Sequence, residues 1–281
     1  MTVLRVATWN VRTCLTREGD RVDLDLTAAV LRSLDADLVA LQEIDRDQER
    51  SGHADQARAL GEALGTAWRF GPAMLGPAEP PRRWRPPEPD GDPGGPAYGV
   101  ALLSRLELEA VETVVLAAPE GRGEPRVALV ARVRAGDLRL SVAATHLSFV
   151  RRDGVRQLRS LQRHLAGSPS GRGGPDDPRG PSSRGGRGGP VPAPRLLLGD
   201  LNLWLPVVRL VSLPGWRPLV RGATFPNRPP GSAGPSVQID HVLVADAVGV
   251  DLRARRTRIA ASPVSDHRAV VVSLELAPRP A

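Results

Sequence analysis

The sequence predicts a layered α/β (α+β) fold in which two β-sheets pack face to face and helices cover their outer surfaces. Short apolar or alternating segments, typical of strands, recur along the 281 residues and are interrupted by a few amphipathic helices. Each sheet and each helix must bury one apolar face, so this mixture favours two packed sheets with helices outside. The length suits one large domain, 1–281, with a well-buried core.

The predicted strands are Val-, Leu- and Ala-rich or alternating segments: Val3–Trp9, Leu38–Gln42, Gly99–Leu103, Val127–Val133, Leu138–Thr145, Leu196–Asp200, Val237–Val244 and Ala269–Leu274. The predicted helices are Asp23–Leu34, Ala54–Leu64 and Asp153–Leu165. The last helix has Asp153 as its expected N-cap, and its apolar residues recur on one face.

Two stretches rich in Gly, Pro and Arg, at about 76–96 and 167–194, are predicted to be surface insertions. The second is too long for an ordered connection in a compact domain, so we expect it to be disordered. Residues suited to chemistry lie on both sides of it. We therefore expect it to interrupt one domain rather than to separate two.

Composition excludes several classes of protein. A single cysteine, Cys14, excludes a disulfide framework and a multi-cysteine zinc site. No apolar run approaches the roughly 20 residues of a membrane span and no leader precedes Val3, which predicts a cytoplasmic location. The net charge of +7 invites a nucleic-acid interpretation. However, all 38 basic residues are Arg, which indicates a composition bias along the whole chain rather than a localised patch.

Polar residues follow or precede the predicted strands repeatedly. Asn10, Glu43 and His146 each follow a strand, Asp200 closes one with Asn202 two residues later, and Asp266–His267 precede the last strand. Side chains at strand ends are positioned by a rigid scaffold, as catalytic groups usually are. Taken singly, each also has an ordinary explanation as a turn former, a solvated charge, a cap or a core histidine.

The residue types in this set indicate a hard-metal and phosphate chemistry. Carboxylates with an Asn carbonyl, and no thiolate, suit Mg²⁺ or Mn²⁺. In an extended segment, Asp200 and Asn202 point the same way and can converge on one phosphate or water, whereas Asp266 and His267 should serve different partners. An imidazole that acts as a base or a cation needs an orienting carboxylate, and Asp240 is the candidate.

Seven short motifs in order strengthen this interpretation: Thr8-Trp9-Asn10-Val11-Arg12, Leu41-Gln42-Glu43, Leu102-Leu103-Ser104-Arg105, Thr145-His146-Leu147-Ser148, Leu198-Gly199-Asp200-Leu201-Asn202, Ile239-Asp240-His241-Val242 and Ser265-Asp266-His267. Together they resemble the endonuclease/exonuclease/phosphatase superfamily. The resemblance implies a four-layer α/β sandwich with two mainly antiparallel sheets. It also implies a Mg²⁺-dependent phosphoesterase, with Mn²⁺ as a substitute.

The resemblance also implies roles for individual residues. On the metal side stand Asn10, Glu43 and Asp266, with Glu43 the direct ligand. The catalytic set comprises Asp200 as the group that activates water, Asn202 as its phosphate-contacting neighbour, His267 as the phosphate-contacting histidine, Asp240 as its carboxylate partner, and His146 as a second phosphate-side donor. Tyr98-Gly99-Val100-Ala101 departs from the family pattern, because many members carry an Asn after that Gly.

The substrate stays open at this point. A phosphodiester or phosphomonoester in a nucleic acid, a phospholipid or a small molecule would fit, with the protein acting as a monomer. The alternatives are a DNA endonuclease or exonuclease, a catalytically silent phosphate- or nucleic-acid-binding module of the same fold, and an interaction protein that acts through its Arg-rich loops. Arg105, Arg126 and Arg156 could each grip a phosphate, or be surface charges.

Overall fold

The computed structural model describes residues 2–78, 84–87, 92–116, 124–167, 193–229, 231–234, 236–247 and 250–278. Nearly all of the predicted insertion at 167–194, with its expected disorder, lies outside these ranges, as does part of the insertion at 76–96. The strands of the described residues are β1 Thr2–Asn10, β2 Leu38–Arg46, β3 Ala67–Leu75, β4 Ala97–Ser104, β5 Glu107–Leu116, β6 Arg126–Ala135, β7 Leu138–His146, β8 Arg195–Asp200, β9 Trp216–Pro218, β10 Asp240–Ala245, β11 Val250–Ala260 and β12 Ala269–Pro278. The helices are α1 Leu24–Leu34, α2 Gln56–Leu64, α3 Arg151–Gly167 and α4 Leu205–Val211.

The strands form two six-stranded sheets, ordered β11-β12-β1-β2-β4-β3 and β5-β6-β7-β8-β10-β9. Each sheet contains one parallel pair, β1 with β2 and β7 with β8, and the other pairs are antiparallel. In each parallel pair a helix connects the two strands, α1 in the first sheet and α3 in the second. The strands of both pairs therefore end at one edge of their sheet.

Successive side chains of a strand point to opposite faces of the sheet, so neighbouring residues enter different layers of the fold. In β1, Leu4 and Val6 enter the core between the sheets, whereas Ala7 and Trp9 face a second core under α1 and α2. In β8, Leu198 enters the core between the sheets, and its neighbours on the opposite face pack with α3 and α4. The order of layers is therefore helices, sheet, sheet, helices, and the predicted four-layer sandwich is confirmed.

Local signals explain the helix boundaries. The side chain of Asp23 accepts a hydrogen bond from Leu26 N at the start of α1, and that of Asp55 accepts one from Arg58 N at the start of α2. The expected N-cap of α3 is wrong: this helix begins at Arg151, and Asp153 is a buried residue of its first turn. No helix in the described ranges combines the length and apolar character needed to cross a membrane.

Candidate active site

The strand-end residues meet where the two sheets adjoin. Asn10 ends β1, Glu43 lies near the end of β2, His146 ends β7 and Asp200 ends β8, so all four come from the two parallel pairs. Asp200 is paired in register with His146 on one side and with Asp240 on the other. The carboxyl ends of both parallel pairs thus supply one polar cluster.

The position of Glu43 depends on a β-bulge. The pairing of β2 with β4 shifts register between Gln42 and Ile44, and Glu43 adopts a φ of 59°. A non-glycine residue at positive φ is costly in isolation, and bulges re-aim a side chain that the regular pleat would direct elsewhere. Glu43 is therefore directed out of the strand by a locally strained backbone.

Asn10 links the two sheets. Its Nδ2 donates to Glu43 Oε1 at 2.9 Å and to Asp200 Oδ2 at 3.1 Å. Its Oδ1 accepts a hydrogen bond from Arg12 N at 3.1 Å, which fixes the orientation of the amide. In this arrangement Asn10 orients two carboxylates, one from each sheet, and offers its carbonyl oxygen to the backbone.

Asp200 is buried and held from several sides. Its Oδ1 accepts from Asn202 N at 2.9 Å, and its Oδ2 lies 3.5 Å from His146 Nε2 and 3.8 Å from His267 Nε2. The preceding residue, Gly199, is needed for close approach of the strands, since a Cβ there would lie 2.0 Å from Thr145 O. Burial and the neighbouring Asp240 raise the pKa of Asp200 to about 7.

His267 lies between two buried carboxylates. Its Nδ1 donates to Asp240 Oδ2 at 3.0 Å, and its Nε2 faces Asp200. Burial alone lowers the pKa of His267, but the carboxylates, chiefly that of Asp240, outweigh burial and raise this pKa to about 10. His267 is therefore an imidazolium, stacked at a 46° tilt against Phe225 with ring centroids 4.8 Å apart.

His146 has the opposite charge state. Its Nε2 lies 3.1 Å from Asn202 Nδ2, which also donates to Leu147 O at 3.0 Å, so the amide is the donor and the imidazole the acceptor. Burial and the nearby Arg126 and His267 lower the pKa of His146 well below its ordinary value. The site therefore holds one neutral and one cationic histidine, whose environments push their pKa values apart.

Asp266 and His267 contact different partners, as their adjacent positions predict. Asp266 Oδ2 lies 3.8 Å from Arg12 Nε at the surface side of the cluster, whereas His267 turns inward. The intervening backbone is fixed by Ser265, whose Oγ donates to Asn10 O at 2.7 Å and accepts from His267 N at 3.0 Å. This arrangement separates the two side chains.

A cavity of about 380 Å³ opens beside Glu43. Its lining includes two guanidinium groups, from Arg12 and Arg50, and two aromatic rings, from Trp84 and Tyr98. Trp84 belongs to the insertion predicted at 76–96, and its ring packs edge-on against Tyr98 with centroids 6.2 Å apart. Part of this insertion thus borders the site.

The sequence profile of the Endonuclease/Exonuclease/phosphatase family matches residues 7–267, nearly the whole chain. The chain belongs to this family. A search of the curated proteins finds no match.

Solved structures of other proteins share the fold. An endonuclease/exonuclease/phosphatase from Beutenbergia cavernae is 25% identical with a TM-score of 0.67, covering 99% of this chain and 72% of that one. The mannosyl-6-phosphatase of Bacteroides thetaiotaomicron is 18% identical with a TM-score of 0.65, covering 97% and 99%. A humanized TDP2 from D. rerio is 15% identical with a TM-score of 0.66, covering 98% and 100%. At the two lower identities the likeness concerns the fold.

The oxygen donors of this family member fit a hard divalent cation. Glu43 and Asp266 present carboxylates on the accessible side of the cluster, and Cys14 is a buried thiol whose pKa burial raises to about 12. Asp200, Asp240 and His267 also offer ligand atoms within 4.8 Å of one another. Because His267 is protonated, donates to Asp240 and lies 3.8 Å from Asp200, that trio is better described as a cationic histidine between two carboxylates than as a ligand set.

Three supporting residues of the site carry no role in the sequence prediction. Ser265 fixes the Asp266–His267 segment, and the buried Asn227 donates through Nδ2 to Ser262 O and Ser265 O. Thr224 Oγ1 accepts from the backbone N–H groups of Ile239 and Asp240, both at 3.1 Å. The Ser265-Asp266-His267 segment was visible in the sequence, but Asn10, with which Ser265 bonds, lies 255 positions away.

Proposed function

We propose that this protein is a Mg²⁺-dependent phosphoesterase, with Mn²⁺ as a substitute, that hydrolyses a phosphate ester by in-line attack of water. The observation that carries the proposal is the buried arrangement of Asp200, which accepts hydrogen bonds from Asn10 and Asn202 and faces His267, at the junction of the sheets. A carboxylate between hydrogen-bond donors and a fixed cation suits proton abstraction next to a phosphate.

Asp200 would accept the proton of the attacking water. Its pKa, raised to about 7 by burial and by Asp240, makes it a stronger base than an ordinary carboxylate. Asn202 N and Asn10 Nδ2 hold its two oxygens, so its orientation is set before substrate binds. A phosphate contact by the Asn202 amide would replace the hydrogen bonds that its Nδ2 donates to His146 Nε2 and Leu147 O.

His267 would supply fixed positive charge to the non-bridging phosphoryl oxygens. It is an imidazolium held by Asp240, so no proton has to be acquired when charge develops in the transition state. Asp240 is then a positioning residue, since it contacts the histidine rather than the substrate. His146, which is neutral, would contact the phosphate as a second polar group.

Glu43 and Asp266 would hold the metal, with Asn10 orienting Glu43. A bound divalent cation supplies charge stabilisation at the phosphoryl oxygens and the leaving group. A D. rerio TDP2 in complex with a single-stranded DNA product and the mannosyl-6-phosphatase share this fold, which supports this reaction class. The cavity beside Glu43 offers room for the organic part of a substrate.

A substrate panel tests the reaction. Turnover of bis-p-nitrophenyl phosphate, p-nitrophenyl phosphate, plasmid DNA, an abasic oligonucleotide, sphingomyelin and inositol phosphates is measured with Mg²⁺, with Mn²⁺ and with EDTA. We expect metal-dependent turnover of at least one substrate. Asp200→Asn and His267→Gln should each lower it by about 10²–10⁴-fold, the usual contribution of such groups.

The matched control is Asp25→Asn, which changes the same type of side chain at an exposed position of α1. It should leave turnover unchanged, and circular dichroism should report the same fold for all variants. Near-normal turnover in Asp200→Asn or His267→Gln would contradict the assignment. A folded wild type that binds phosphate esters and turns over none of them would favour the silent binding module.

A further inference from the structure

Exposed apolar side chains are concentrated beside the catalytic cluster. Among the described residues the large exposed hydrophobics are Val3, Val115, Phe149, Val150, Trp204 and Leu210. Four of these six lie in the segments that follow His146 and Asn202, at the ends of β7 and β8. Phe149 is 69% exposed, Trp204 61% and Leu210 83%, in a chain whose aromatic content is only 3%. Exposed apolar side chains that lie next to one another mark interaction surfaces, whereas isolated ones do not.

The two segments adjoin in space. Gly154 of α3 lies between them, because a Cβ on this residue would be 2.8 Å from Ser148 O and 3.5 Å from Leu203 Cδ2. Asn202 Nδ2, which donates to Leu147 O, joins them again at the catalytic end. We call Phe149–Arg152 together with Trp204–Leu210 the apolar rim.

Hydrogen bonds fix the backbone of the apolar rim. The N–H of Val150 donates to Ser148 Oγ at 3.2 Å, and that of Ser148 donates to Gln157 Oε1 at 2.9 Å. At the other segment, Arg159 Nε donates to Val211 O at 2.9 Å. Phe149, Val150, Trp204 and Leu210 thus stay exposed on anchored backbone.

The charge around the rim is positive. Arg151, Arg152 and Arg209 are exposed within it. Over residues 147–167 and 201–215 the one acidic residue is Asp153, which is buried and 3.9 Å from Arg156. Aromatic rings and aliphatic groups with flanking arginines match the interface of an anionic bilayer, where rings sit at headgroup depth and cations meet lipid phosphates.

We propose that the apolar rim seats the catalytic edge of the protein on an anionic phospholipid surface. Single-stranded nucleic acid would use the two rings and the arginines, but Val150 and Leu210 offer no π-face for a base, so lipid is the better fit. The membrane contact stands by itself. The consequence that the ester cleaved is presented at a membrane rests on the proposed function.

Vesicle binding tests the contact without any need for turnover. The full-length protein is co-sedimented with vesicles of phosphatidylcholine and phosphatidylserine, and with pure phosphatidylcholine vesicles, at low and high salt. We expect binding to the mixed vesicles that weakens in salt. The double variant Phe149→Ala/Trp204→Ala should lower the partition coefficient by about tenfold or more, since each ring loses its apolar burial.

Two further variants separate the contributions. Arg151→Gln/Arg152→Gln should abolish the preference for anionic vesicles while keeping weak binding to both types. Val3→Ala, at the end of β1 remote from Asn10, removes an exposed apolar side chain outside the rim and should bind like the wild type. The altered side chains are exposed, so these variants should keep the fold.

Turnover of soluble bis-p-nitrophenyl phosphate is measured in parallel for every variant. If the rim variants lose vesicle binding but hydrolyse the soluble substrate at the wild-type rate, the proposed membrane contact of the rim is supported. If no protein turns over the soluble substrate, the proposed function is contradicted, but the vesicle-binding result can still be interpreted. The proposal is overturned if the wild type does not bind mixed vesicles, or if Phe149→Ala/Trp204→Ala binds them equally well. It is also overturned if the rim variants lose affinity for a single-stranded oligonucleotide and not for vesicles.

Discussion

Acidification should destabilise this protein through His241, a fully buried histidine in β10. Its Nε2 donates to Leu203 O at 2.8 Å and its Nδ1 accepts from Gln238 Nε2 at 3.2 Å. One neutral tautomer satisfies both contacts, whereas a protonated ring would place a donor against the donor of Gln238. Burial accordingly lowers the pKa of His241 to about 4.

The size of this loss of stability follows from the linkage between proton binding and folding. Between pH 6.5 and about 4 the unfolded chain binds a proton at this histidine and the folded protein does not, so stability falls as pH falls through that range. At about 1.4 kcal/mol per pH unit, the full effect is about 3 kcal/mol. Above pH 6.5 both states are neutral at this position, and the contribution no longer changes.

The variant His241→Gln isolates this term, because Gln cannot titrate and can still donate to Leu203 O. Urea unfolding is followed by circular dichroism between pH 7.5 and 4 for both proteins. Other groups, including His267 with its raised pKa, titrate equally in both and cancel. We expect the stability advantage of the wild type to shrink by about 3 kcal/mol across the range. Parallel stability curves, or an NMR pKa for His241 near 6.5, would refute the reasoning.

Three further outcomes concern the supports of the site. Gly199→Ala should cost about 1–3 kcal/mol and most of the turnover, because its Cβ meets Thr145 O, whereas Gly167→Ala, with nothing within 4 Å, should be neutral in thermal unfolding. Thr224→Val leaves two buried N–H groups without an acceptor, and urea denaturation should show a loss of about 2 kcal/mol. Asp200→Asn removes a buried negative charge, so its melting temperature at pH 8 in EDTA should equal or exceed that of the wild type; a large decrease would indicate a structural role.

The strands that the sequence predicted are interior strands of the two sheets, and the missed ones are edges. β3, β5, β9 and β11 border the sheets, and none of them was predicted. β5 and β11 are mostly exposed and carry charges on both faces, so the apolar alternation that marks a strand is weak there. Interior strands, buried on both faces, are conspicuous as Val- and Leu-rich segments.

The same contrast applies to the candidate site. Residues at the ends of interior strands could be located in the sequence, since each follows an apolar segment directly. Their hydrogen bonds could not be predicted, because Asn10 bonds with Asp200, 190 positions away, and Ser265 bonds with Asn10, 255 positions away. The bulge that directs Glu43 also depends on how β4 pairs with β2, which no local pattern encodes.

The buried charges of the cluster are not needed for the stability of the fold. Asp200, Asp240 and His267 are buried, and apolar residues at such positions often stabilise a protein at least as well as an ion pair does. Yet the charges are held across the two sheets: Asn10 of the first sheet donates to Asp200 of the second, and His267, which precedes β12 of the first sheet, donates through Nδ1 to Asp240 of the second at 3.0 Å. Binding a phosphate ester between the sheets would therefore require little rearrangement, since the reacting groups are already fixed by the same contacts that join the two layers.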